Sequence, residues 1–107
     1  MKIEYRYKFL TLIYNELERA EKKHPVFCDK LCDDYIHNWG NLESVYKEIN
    51  DGHRGFSADN ILMEEVAEAM NAYLHPYTEF DKEHCLQEMA QCAAVIIRMM
   101  EYVEENR

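Results

Sequence analysis

The sequence predicts an all-α domain, a bundle of four to five helices completed by dimerisation, and three observations carry that expectation. Apolar residues recur at helical rather than strand spacing along most of the chain, with no alternating stretch or internal repeat. The punctuation is sparse and falls between the periodic stretches, with only 3 Gly and 2 Pro in 107 residues. The last periodic stretch is apolar nearly all round, more than a chain this short covers alone. A length of 107 residues sets one domain over 1–107.

The first helix is expected from about Tyr5 to Lys23, with Phe9, Leu12, Ile13, Leu17 and Ala20 forming its stripe. His24-Pro25 ends it, because the residue before proline is pushed out of the helical region. Between Val26 and Asp51 the pattern is mixed. Cys28 to Ile36 and Leu42 to Ile49 each read as a short helix, separated by Asn38-Trp39-Gly40-Asn41. Asp51-Gly52-His53-Arg54-Gly55 reads as a loop. Ser57 is then an N-cap, and Phe56 and Ile61 are placed as a hydrophobic staple. The helix that follows stops by His75-Pro76, and Thr78 is the next expected cap, with Asp81 three residues later. The final helix extends to about Val103. A short connection makes the last two helices antiparallel neighbours.

With 48% of its residues apolar and 12% aromatic, the sequence supports a folded core rather than disorder. The formal net charge of −9 disfavours nucleic acid and anionic membrane as partners, since neutralising phosphate requires positive charge. No apolar run approaches the ~18 residues that span a bilayer, and the start lacks a signal-peptide core, so a cytoplasmic protein is expected. Its four cysteines then read as thiols, with Cys85 and Cys92 packed on the apolar helix. His24, Cys28, Cys32 and His37 do not match a zinc signature, and Pro25 breaks their periodicity.

The chemistry lies in Glu64-Glu65-Val66-Ala67-Glu68 and in Glu88-Met89-Ala90-Gln91. On a helical wheel at ~100° per residue, Ile61, Leu62, Val66, Ala69, Met70, Ala72 and Tyr73 form one apolar arc. Glu65 falls inside it, Glu68 at its edge and Glu64 just outside. Glu88 projects between Val95 and Met99 on the apolar final helix. A buried carboxylate without a partner costs several kcal/mol or takes up a proton, so a cation is expected among these groups. Glu65 and Glu68, at i and i+3, share a side of one helix. Glu88 and Gln91 from a facing helix complete an oxygen-rich set for Mg²⁺ or Mn²⁺.

This pairing of E-E-x-x-E with E-x-x-D, on two helices of a small all-α chain, resembles the MazG-like family of nucleoside triphosphate pyrophosphohydrolases over roughly Ile61 to Val103. Glu64 to Glu68 fit the first half in full and Glu88 begins the second. Gln91 departs from the pattern, standing where the family has aspartate; an amide is the weaker ligand for a hard cation. The resemblance implies Mg²⁺-dependent cleavage between the α and β phosphates of a nucleotide, yielding monophosphate and pyrophosphate, in a homodimer or higher assembly. It implies metal-assisted attack by water, with Glu64 or Glu65 as general base and Glu65, Glu68, Glu88 and Gln91 as ligands. Trp39 for stacking, and Lys47, His53, Arg54 and Arg98 for phosphate oxygens, are the substrate-binding candidates. Two other classes stay open: a nucleotide-binding sensor or sponge without turnover, and a structural helical dimer whose glutamates pair across its interface.

Overall fold

A computed structural model describes residues 2–52, 57–74 and 79–106. It is all-helical, with α1 at Ile3–Lys23, α2 at Asp34–His37, α3 at Trp39–Asp51, α4 at Ala58–Leu74 and α5 at Lys82–Asn106. None of these helices is long and apolar enough to cross a membrane.

The chain divides into two compact units, one of Met1–Leu31 with Met100–Arg107 and one of Cys32–Met99. In the first, α1 starts at Ile3, two residues before the expected Tyr5, and ends where Pro25 requires; His24 N–H closes its last turn on the Ala20 carbonyl. Phe9 is buried and stacks on Tyr5, with ring centroids 5.8 Å apart. Lys8 Nζ donates to Glu104 Oε1 at 2.6 Å, tying α1 to the end of α5. The rest of the expected stripe, Leu12, Ile13 and Leu17, is exposed. These residues line an open apolar furrow with Glu16, Ala20 and Met100.

In the second unit the expected division of the middle segment is corrected. Residues 24–33 form no helix, so His24, Cys28 and Cys32 do not share a helical face, and α2 is a single turn. Asp33 caps that turn by accepting from the Tyr35 and Ile36 backbone N–H groups. Trp39-Gly40-Asn41, expected as a break, is the first turn of α3. The break is Asn38 alone, at φ 45°, a left-handed conformation that asparagine tolerates. Its Oδ1 also accepts from the Asn41 N–H, so one residue ends α2 and caps α3.

Helices α3 and α4 are closely packed and antiparallel. Asn50 Nδ2 donates to Glu64 Oε1 at 2.9 Å, and Asn71 Nδ2 donates to Glu43 Oε2 at 3.1 Å. The step from Glu43 to Asn50 along α3 thus matches the step back from Asn71 to Glu64 along α4. Ala67, Ala69 and Ala72 are buried on α4, and small side chains allow a close approach of helix backbones. The expected antiparallel pairing of α4 with α5 is not the closest packing; among the described residues α3·α4 is the one extensive helix pair.

Helix α4 begins as expected at Ser57, whose carbonyl accepts the first helical bond from Ile61 N–H, although its hydroxyl is hydrogen-bonded to Asp59. For α5 the cap is Asp81, whose Oδ1 accepts from the His84 N–H at 3.1 Å. Tyr73 and Phe80 meet edge-on, centroids 5.8 Å apart, where α4 ends and the approach to α5 begins. The proposed Phe56 staple, the His75-Pro76 stop and the Thr78 cap lie outside the described residues.

Candidate metal centre

Helical geometry places Glu68 one turn beyond both Glu64 and Glu65, at i+4 from one and i+3 from the other. One carboxylate oxygen from each of the three lies within 4.8 Å of the others. On an octahedral Mg²⁺ ion adjacent ligand oxygens stand about 3 Å apart and opposite ones about 4.2 Å, so the three carboxylates must draw in to share one cation. All three side chains are half-buried.

Glu88 joins this group from α5, within the same unit. Its side chain is 15% exposed, and its charge acts on both Glu65 and Glu68. His84, one turn earlier on α5, brings Nε2 to 3.8 Å from Glu88 Oε1, too long for a hydrogen bond. Cys92, at i+4 from Glu88, faces the same charges: burial pushes its thiol pKa up, and Glu65, Glu88 and Glu68 add to that.

The electrostatics are those of crowded acids. Burial, then the charges of Glu88 and Glu64, push the Glu65 pKa above the ordinary carboxylate value, while a hydrogen bond with Glu68 pulls back. Glu68 is pushed up to about 7 by burial, by the charge of Glu65, by its hydrogen bond with Glu64, and by the charges of Glu88 and Glu64. Two carboxylates share a hydrogen bond only where one keeps its proton. Glu68, with its pKa raised to about 7, is the member of the metal-free group that most readily holds a proton near neutral pH.

No Lys or Arg side chain among the described residues offsets these charges. Oε2 of Glu65 and Oε2 of Glu88 are both shut off from solvent and accept no hydrogen bond. Buried unpaired acceptors on charged groups are costly. The donors are hard oxygens, the chemistry that Mg²⁺ or Mn²⁺ prefers. The residues present fit a hard divalent cation.

The remaining expected site residues fall as follows. Gln91 is exposed on α5, whereas Cys92 beside it is half-buried. Trp39 is half-buried, with its ring 4.9 Å from that of His37 and its Nε1–H enclosed without an acceptor. Lys47 and Arg98 are exposed. His53 and Arg54 lie outside the described residues.

Three neighbours of the group were not expected from the sequence: Asn50, His84 and Cys92. The last two had a legible signal, sitting one turn either side of Glu88 on its own face. Asn50 had none, because it reaches Glu64 from another helix.

The chain matches no protein-family model, no curated protein and no solved structure.

Proposed function

We propose that the chain is a metal-dependent nucleotide pyrophosphohydrolase that cleaves a nucleoside or deoxynucleoside triphosphate to the monophosphate and pyrophosphate, as its resemblance to the MazG-like family implies. The observation that carries the metal part of this reading is the group Glu64, Glu65, Glu68 and Glu88, with two enclosed, unpaired oxygens and, among the described residues, no Lys or Arg side chain that offsets its charge. The nucleotide part rests on the E-E-x-x-E spacing.

Glu65, Glu68 and Glu88, with Gln91 on the same stretch of α5, are the residues proposed to hold Mg²⁺ or Mn²⁺. Bound there, the ion supplies the positive charge that lets an anionic phosphate chain approach an acidic surface and promotes ionisation of water. The protein's own contribution is to orient and to move protons. Glu64 is held through Oε1 by Asn50, and Glu65 is held by Glu68. Either carboxylate is the proposed base for the proton of the attacking water. Glu68 gives up its stored proton as the centre loads. Trp39, already against His37, offers a face for a base, and Lys47, Arg54 and Arg98 are the candidates for phosphate oxygens.

Incubating the protein with a nucleotide panel and Mn²⁺ tests the reading by release of pyrophosphate, in the wild type and in Gln91→Asp. Pyrophosphate from at least one nucleotide is expected, and more from the variant if a fourth carboxylate tightens the centre. The exposed amide at position 91 favours a second reading, a nucleotide-binding sensor or sponge. Metal and nucleotide binding without pyrophosphate from either protein supports that one. A structural dimer predicts no response to metal at all.

A homodimer is part of the proposal. Among the described residues the buried apolar core is Phe9, Ala67, Ala69, Ala72 and Cys85, too little apolar surface to hold a fold of this length. Meanwhile Leu10, Leu12, Ile13, Tyr14 and Leu17 of α1 and Leu86, Ile96 and Val103 of α5 are exposed. A second copy covering them supplies the missing core. Sedimentation at low micromolar concentration is expected to give about twice the 12.8 kDa chain mass; a folded monomer there refutes the shared bundle.

A further inference from the structure

Asn50 stands near the end of α3 and makes two bonds to α4. Its Nδ2 donates to the Asn60 carbonyl at 3.2 Å and to Glu64 Oε1 at 2.9 Å. Both partners are acceptors, which settles the amide orientation: turned over, Oδ1 would face two oxygens. Both amide hydrogens are therefore committed, and Glu64 is pinned through one oxygen. Asn50 Oδ1 is left enclosed and without a donor.

A second asparagine on the same helix pair provides the comparison. Asn71 Nδ2 donates to Glu43 Oε2 at 3.1 Å, joining the other ends of α3 and α4. It has no enclosed, unpaired atom. Joining two helices thus does not require the amide to leave a buried oxygen unpaired. What distinguishes Asn50 is its place beside the carboxylate group and an acceptor with nothing to accept.

We propose that Asn50 is a positioning residue of the metal centre, its amide hydrogens holding Glu64 in place and its Oδ1 kept as the acceptor for a hydrated Mg²⁺ or Mn²⁺ ion. This role rests on the metal reading of the Glu64, Glu65, Glu68 and Glu88 group. It assigns α3 a part in the centre, although α3 carries none of the motif's carboxylates. Glu64 is in turn hydrogen-bonded to the proposed ligand Glu68, so Asn50 acts on the ligand set through it; neighbours that orient metal ligands affect affinity without contacting the ion, typically by about 10–100-fold.

The test is Mn²⁺ affinity, read by electron paramagnetic resonance of the free ion, in the wild type and in Asn50→Leu, Asn71→Leu and Glu65→Gln. Asn50→Leu is expected to weaken binding about 10–100-fold, while Asn71→Leu binds as the wild type does. Asn50→Ser, too short to reach Glu64, serves if the leucine variant does not fold, with the same loss expected. Wild-type affinity in a folded Asn50 variant, with binding abolished in Glu65→Gln, overturns the role of Asn50 and leaves the metal centre standing. Equal losses in the Asn50 and Asn71 variants also overturn it, since they make the effect one of helix pairing. A wild type that binds no Mn²⁺ overturns the metal centre itself, and the role of Asn50 with it.

Discussion

Replacing Glu65 by glutamine is expected to raise the melting temperature of the metal-free protein at pH 8 and to abolish its stabilisation by Mn²⁺. The two effects have opposite signs and one origin. Without metal, Glu65 is a half-buried carboxylate facing Glu64 and Glu88, with an enclosed oxygen that accepts nothing. An amide of the same shape removes the charge and offers hydrogens to neighbouring carboxylates. The expected gain is about 1 kcal/mol, because part of the repulsion is screened by solvent. With Mn²⁺ at a hundred times its dissociation constant, the wild type gains about 2.7 kcal/mol from preferential binding to the folded state. The variant should lose nearly all of that gain. An acidic group with no cation-binding role reproduces the first effect and fails the second. A melting temperature that Mn²⁺ raises equally in wild type and Glu65→Gln places any ion elsewhere.

The elements that were legible from sequence are those whose signal is local. Helices α1, α4 and α5 declare themselves by apolar spacing, and Pro25 stops α1 through the sterics of a single residue pair. The segment between them was misdivided because Asn38, Trp39, Gly40 and Asn41 all look like turn residues. Only Asn38 takes the left-handed conformation, and the cap it forms starts α3 at Trp39. Caps showed the same ambiguity: Thr78 and Asp81 are both good acceptors, and the choice of Asp81 depends on where α5 begins.

At the candidate site, Glu64, Glu65 and Glu68 were legible together because i, i+1 and i+4 converge on any α-helix. On α5, Gln91 and Cys92 stand at i+3 and i+4 from Glu88, both on its side of the helix; the structure has Gln91 exposed and Cys92 half-buried, a difference that the local spacing does not encode. The contact of Asn50 with Glu64 depends on the register between two helices, set by side chains far apart in sequence, and no local pattern encodes it.

The stability of the metal-free protein is expected to fall as pH rises from about 4.5 to about 7, and Mn²⁺ is expected to reverse that slope. The folded-state pKa of Glu68 is raised from the ordinary 4.5 to about 7 by burial and by the charges and hydrogen bond of its neighbours. Below 4.5 the carboxyl is protonated in both folded and unfolded chains, so its favourable contribution is fully present. Between the two values the unfolded chain releases the proton that the folded chain retains, and stability drains away. Above about 7 the loss is complete. Glu65 is shifted in the same direction and adds to it. Discounted for screening of a half-exposed group, the loss is about 1–2 kcal/mol, or about 5–10 °C in melting temperature for a chain of this size. Metal binding requires the ionised carboxylates and expels the Glu68 proton, so the increment from Mn²⁺ should be small at pH 5 and largest above pH 7. Glu68→Gln removes the titrating group and should flatten the metal-free profile. If that variant keeps the wild-type slope, the stored proton is not on Glu68; if the Mn²⁺ increment is the same at pH 5 and pH 8, the ion is not displacing a proton from this group.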